Sequence, residues 1–102
     1  ASSDGLGLPE KIELVGNFPN PFNPYTTIKY DLPLDADVSL VVYNLLGEVV
    51  QVLVSSDIPS GRHSIVWNGE SISNSAVPSG IYIYQLTVDG VVSGSKKMVL
   101  VK

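Results

Sequence analysis

Residues 81–88 alternate strictly: Tyr82, Tyr84, Leu86 and Val88 fall on one side, Ile81, Ile83, Gln85 and Thr87 on the other. A period of two is the side-chain alternation of a β-strand, and the β-branched and aromatic content agrees with it. The pattern recurs along the chain. Residues 26–32 set Thr26, Ile28, Tyr30 and Leu32 against Thr27, Lys29 and Asp31. Residues 37–44 set Val38, Leu40 and Val42 against Ser39, Val41 and Tyr43, and 49–54 is the returning arm of that hairpin. Residues 62–68 carry His63, Ile65 and Trp67 on one face. A short edge strand is expected over 12–16, and a final strand over 91–102 with an interruption near Ser93-Gly94-Ser95. No segment sustains a helical period.

The connections carry turn chemistry. Asp89-Gly90 is the pair that closes a two-residue hairpin in a type I′ turn. Gly47, in Leu45-Leu46-Gly47-Glu48, is the expected positive-φ position of a tight connection. Pro33 to Ala36 reads as a turn, 55–61 as a loop around Pro59 and Gly61, and 69–80 as the least regular stretch. Seven strands spaced by such turns predict an all-β chain, a seven-stranded antiparallel sandwich of immunoglobulin-like or fibronectin III-like type. Cysteine is absent, so apolar packing alone must hold it. Tyr82 stands where a tyrosine corner is expected, with its ring buried and its hydroxyl on backbone.

Pro19-Asn20-Pro21-Phe22-Asn23-Pro24 breaks the alternation. Three prolines in six residues fix φ three times and remove three backbone donors. Asn20 and Asn23 can close side-chain turns on the backbone. The segment reads as a rigid lead into the 26–32 strand, with Phe18 and Phe22 plugging the sandwich end. At 102 residues the chain forms one domain, with residues 1–7 a linker or cloning remnant and 8–102 the domain proper. No apolar run approaches the roughly 18 residues of a membrane helix, and no signal peptide opens the sequence, so an exported protein would carry its signal upstream.

Six Lys+Arg against ten Asp+Glu give a formal net charge of -4. Nucleic acids and anionic membranes select basic surfaces, so neither is an expected partner. Half of the six cations, Lys96, Lys97 and Lys102, gather in the last seven positions. His63 is the lone histidine and reads as a strand residue; without a Gly-x-Ser-x-Gly turn no catalytic serine arrangement is expected. Asp31, Asp35 and Asp37 flank one turn and could begin a calcium site, yet lack calcium-loop spacing and read as a solvated turn. Tyr25, Tyr30, Tyr43, Tyr82, Tyr84, Phe18, Phe22 and Trp67 could form a sugar-binding platform, although most sit at core positions. No enzyme, cofactor or metal is expected.

Several motifs occur in a fixed order: Leu8-Pro9-Glu10; Asn17-Phe18 through Pro24 with Thr26-Thr27-Ile28; Val38 through Val50; Trp67-Asn68-Gly69; Ser79-Gly80-Ile81-Tyr82; and Lys96-Lys97-Met98-Val99-Leu100. Together they resemble the C-terminal sorting domain of the type IX secretion system, which ends many exported proteins of Bacteroidetes. The related immunoglobulin-like domain of flagellar hook-capping proteins shares parts of the pattern. The resemblance implies a non-catalytic address label. Its cargo would precede it in the chain, transit the periplasm and be recognised by the outer-membrane translocon. In some members a surface sortase-like protease then removes the label, and the product is secreted or held at the cell surface without membrane insertion. The expected recognised surface is Lys96, Lys97, Met98, Val99, Leu100, Val101 and Lys102. Pro19, Asn20, Pro21, Phe22, Asn23, Pro24, Gly47, Trp67, Gly80 and Tyr82 would be its structural motif. The alternative is an accessory binding or spacer module, for example carbohydrate-binding, of a multidomain secreted enzyme.

Overall fold

The computed structural model describes residues 9–102, so the linker expected over 1–7 lies outside the described residues, as does Leu8. Seven strands follow one another: β1 (Glu13–Phe18), β2 (Thr26–Leu32), β3 (Ala36–Tyr43), β4 (Val49–Ile58), β5 (Gly61–Trp67), β6 (Gly80–Val88) and β7 (Val91–Leu100). They form two sheets, β1-β2-β5 and β4-β3-β6-β7, and every strand pairing within them is antiparallel. In constant-type immunoglobulin domains the fourth strand joins the sheet of the first, second and fifth. Here it stays beside β3, because the connection at 44–48 folds β4 straight back along its neighbour. Asn44 builds that connection: its Oδ1 accepts from the N–H groups of Leu46 (2.9 Å) and Glu48 (3.0 Å), and its Nδ2 donates to Glu48 Oε1 at 2.8 Å.

The alternation read from sequence is the burial pattern of the central strands. Ile28, Tyr30 and Leu32 of β2, Val38, Leu40 and Val42 of β3, and Tyr82, Tyr84, Leu86 and Val88 of β6 all face the core. Full burial of such a side chain stabilises by roughly 1.5–3 kcal/mol. The outer strands depart from expectation. β1 runs to Phe18 rather than ending at Gly16, and the register shifts between Leu14 and Gly16. β4 does not stop at Val54: Ser55, Ser56, Asp57 and Ile58 pair with Ser39, Val38, Asp37 and Ala36, which leaves only Pro59 and Ser60 between strands. Ser55, Ser56 and Asp57 read as loop by composition, but they are exposed on an edge strand, where polar side chains are suited, while Ile58 packs against the core.

β7 is continuous from Val91 to Leu100, and the interruption expected near Ser93 is a bulge, since Leu86 faces Gly94 while Thr87 faces Val92. Gly94 lies in close contact with β1, where any side chain would press on Leu14. A Cβ at that position would stand 3.1 Å from the Cβ of Leu14. Asp89 and Gly90 both have positive φ, 50° and 80°, as a type I′ turn demands. Asp89 also ties the turn back to β3, accepting from the Asp37 N–H through Oδ1 at 3.0 Å and donating its own N–H to the Asp37 carbonyl at 2.8 Å.

Candidate recognition surface

The proline segment crosses from β1 to β2 over one end of the sandwich. Two polar residues that bracket it, Asn17 and Thr26, are buried, and polar groups at that depth need partners. Thr26 Oγ1 donates to the Pro19 carbonyl at 2.8 Å, and Asn17 Nδ2 donates to Thr26 Oγ1 at 3.2 Å and to the same carbonyl at 3.4 Å. From the opposite sheet the Tyr84 hydroxyl donates to Asn17 Oδ1 at 3.0 Å. The first proline is thus clamped from both layers. The Phe18-Pro19, Asn20-Pro21 and Asn23-Pro24 peptide bonds are cis.

Phe22 enters the core and is 2% exposed. Its ring centre lies 5.6 Å from that of Trp67, which in turn meets Tyr82 edge-on at 5.5 Å. Such aromatic pairs add about 0.5–1.5 kcal/mol beyond their buried area. Trp67 Nε1 donates to the Glu70 carbonyl (2.9 Å) and the Tyr82 hydroxyl to the Pro78 carbonyl (2.6 Å), so both rings end on backbone. Phe18 departs from expectation. It is 52% exposed, because its place in β1 faces outward, and the Lys29 ammonium lies 5.6 Å from its ring centre.

Phe22 also pairs with β7. Its N–H donates to the Val99 carbonyl and its carbonyl accepts from the Val101 N–H, both at 2.9 Å, while Asn20 Oδ1 accepts from the Val99 N–H at 3.0 Å. These bonds correct the reading of the final strand as an open surface. Met98 and Leu100 are fully buried, since they occupy the inward positions of β7, and the edge at Val99 and Val101 is already covered by the proline segment. Of the seven residues expected to be recognised, Lys96, Lys97, Val101 and Lys102 are exposed, Val99 is half-buried, and Met98 and Leu100 belong to the core. Lys96 and Lys97 form no ion pair among the described residues. They border an open groove of about 480 Å³ between β1 and β7, lined further by Val15, Phe18 and Asn20.

Other candidate sites resolve into structure. His63 Nε2 lies 2.7 Å from the Pro59 carbonyl and its ring stacks on Tyr30 at 5.3 Å. Asp35 Oδ1 accepts from the Ser60 N–H at 2.8 Å. Among the described residues no three His, Cys, Asp or Glu side chains come together as metal ligands. Five of the eight aromatic rings (Tyr30, Tyr82, Tyr84, Phe22 and Trp67) lie in the core, which leaves Phe18, Tyr25 and half-buried Tyr43 outside it. Gly47 has φ 83°, and Gly80 opens β6 opposite Leu100.

Burial pushes the Tyr84 phenol up to about 12 from an ordinary value near 10. The core holds the neutral form. Its stabilising effect is therefore complete below pH 10 and is lost as pH rises through about 12. Tyr84→Phe leaves Asn17 Oδ1 without a donor, at a cost of about 1–3 kcal/mol near neutrality. The gap between wild type and this variant in urea unfolding should narrow as pH passes 10; a constant gap up to pH 12 would contradict the placement of the phenol.

Residues 24–91, 68 of the 102, match the sequence profile of the FlgD Ig-like domain. The chain belongs to that family. The FlgD-type domain is a small immunoglobulin-like module, typically non-catalytic. No curated protein matches the chain in sequence. Among solved structures, dimeric latent PorU from Porphyromonas gingivalis is similar, with TM-score 0.73 and 22% identity over 91% of this chain and 9% of that one. PorZ, an essential surface component of the type IX secretion system of P. gingivalis, aligns with TM-score 0.59 and 19% identity over 99% of this chain and 12% of its own. FlgD from P. aeruginosa aligns with TM-score 0.56 and 22% identity over 78% and 69%. At these identities the likeness is one of fold. The FlgD-type domain spans only a small part of the PorU and PorZ chains it resembles.

Proposed function

We propose that this FlgD-type domain is a sorting label, which directs an attached cargo through the type IX secretion system to the cell surface or the medium. The observation that carries the reading is the order of motifs from Asn17-Phe18-Pro19-Asn20-Pro21 to Lys96-Lys97-Met98. The fold likeness to PorU and PorZ of P. gingivalis supports it. On this reading the partners are the outer-membrane translocon and, where the label is removed, a surface sortase-like protease. The recognised groups are the solvent-facing part of the final segment: Lys96, Lys97 and Lys102, with Val99 and Val101. The proline segment and its aromatic partners brace that surface.

The test is fusion of the 102-residue chain to a fluorescent cargo bearing a periplasmic export signal, in a type IX-competent bacterium. Fluorescence should appear at the surface or in the medium, and a host lacking the translocon should retain it in the periplasm. Replacing Lys96, Lys97 and Lys102 by Ala should lower export at least tenfold. Exposed positions rarely change stability by more than about 0.5 kcal/mol each, so three together stay within about 1.5 kcal/mol, and the melting temperature of the purified variant should stay within about 12 °C of wild type. Retention of the wild-type fusion in the competent host would dispose of the sorting reading.

A further inference from the structure

β7 ends the order of its sheet, so one of its edges faces away from β6. Phe22 and Asn20 show which backbone groups point that way: the N–H and carbonyl of Val99 and the N–H of Val101. Backbone direction alternates along a strand, and the register from Gly94 to Leu100 is unbroken. The N–H and carbonyl groups of Lys97 and Ser95 therefore point to the same side. Above them the edge is occupied by the proline segment at Val99 and Val101. Below them the regular register ends at the bulge, where Ser93 is the extra residue between Val92 and Gly94. Between these two stops a stretch of three residues, Ser95-Lys96-Lys97, stands open. At about 3.3 Å per residue it is roughly 10 Å long. It opens onto the groove between β1 and β7, where Lys96 and Lys97 are exposed and without an ion pair among the described residues.

We infer that this gap is a docking slot for a short, extended, acidic peptide segment of a partner protein, which adds as a strand to Ser95–Lys97. Main-chain bonds to an exposed edge give such additions their affinity, and flanking side chains select the sequence. The slot length limits the paired part to about three or four residues. Lys96 and Lys97 favour carboxylates at the flanking positions, and they stand out as adjacent exposed cations on a chain whose overall net charge is -4. The proposal rests on the sorting reading for its partner class, a protein component of the export machinery. The binding itself is measured apart from export.

The probe is an acetylated, amidated pentapeptide, Glu-Val-Asp-Val-Glu, titrated into the 102-residue chain labelled with nitrogen-15. Expected are saturable amide shifts at Ser95 and Lys97, slowed exchange of those two amides, and at least tenfold weaker binding between 50 and 500 mM salt. The Lys-Val-Lys-Val-Lys counterpart should not bind. Lys96→Glu with Lys97→Glu should weaken binding at least tenfold and leave the fold intact. Ser95→Pro removes the outward N–H and tests the strand addition directly, since proline is tolerated on an edge whose N–H faces solvent; should it disturb folding, the charge-reversal pair still decides. Shifts confined to the β4 edge, equal binding of the basic peptide, or protection of Ser95 and Lys97 by self-association without peptide would each overturn the proposal. If the peptide binds but the fusion is not exported, only the sorting reading falls. If the fusion is exported and the peptide does not bind, only the slot falls.

Discussion

A chain ending at Lys97 is expected to be unfolded at 25 °C. Met98 and Leu100 are fully buried at the inward positions of β7. Truncating one buried Leu or Met to Ala costs about 2–5 kcal/mol, so losing both removes about 4–10 kcal/mol. Domains of this size have only about 5–15 kcal/mol in total. The truncation also takes Val99 and Val101 from Phe22, leaving backbone groups beside the core without their partners. Far-UV circular dichroism should lose its strand signal, and proteolysis should be rapid. A cooperative melt above 40 °C would refute the burial of β7. Export assays that delete the final residues therefore measure folding. The Lys96, Lys97 and Lys102 substitutions are the informative ones, because they remove charge and keep the core.

Phe22→Ala is expected to destabilise by about 3–5 kcal/mol, the usual range for a buried Phe. In a domain of about 100 residues each kcal/mol shifts the melting temperature by about 4–8 °C, so the melt should fall by at least about 12 °C. The ring abuts Trp67, and β1 and β2 hold the ends of its loop firmly, so little collapse can fill the space. Tryptophan fluorescence should shift to longer wavelength as water reaches Trp67. Export of the fusion should decline in step with stability at growth temperature. A normal melting curve with export abolished would instead make the proline segment a contact with the export machinery.

The central strands were legible because both periods in play, side-chain alternation and turn spacing, are local. Tyr82, Tyr84, Leu86 and Val88 declare an inward face without reference to anything distant. The same locality explains what was misread. Ser55 to Ile58 resemble a loop until β3 is known to lie beside them. Phe18 and Phe22 look equivalent in sequence, yet Phe18 closes an outward position of β1 and Phe22 falls four residues later beyond the strand. The edge of β7 looked open because its cover arrives from Asn20 and Phe22, 79 residues away in the case of the Val99–Asn20 bond. A signal for the clamp did exist: Thr26 sits on the inward side of β2, and a hydroxyl there requires a partner. Its partners, Asn17 and the Pro19 carbonyl, stand just across the prolines.

That long-range closure bears on when the domain becomes itself. Bringing residues so far apart in sequence into register is slow and comes late in folding. During synthesis or threading from the amino-terminal side, Phe22 lacks its backbone partners until Val99 and Val101 arrive. A chain lacking residues 98–101 keeps a greasy, protease-sensitive patch, and one that has them hides it. Seating of Phe22 and docking of residues 98–101 thus come together, and the lysine-bearing rim takes its final geometry in the same step.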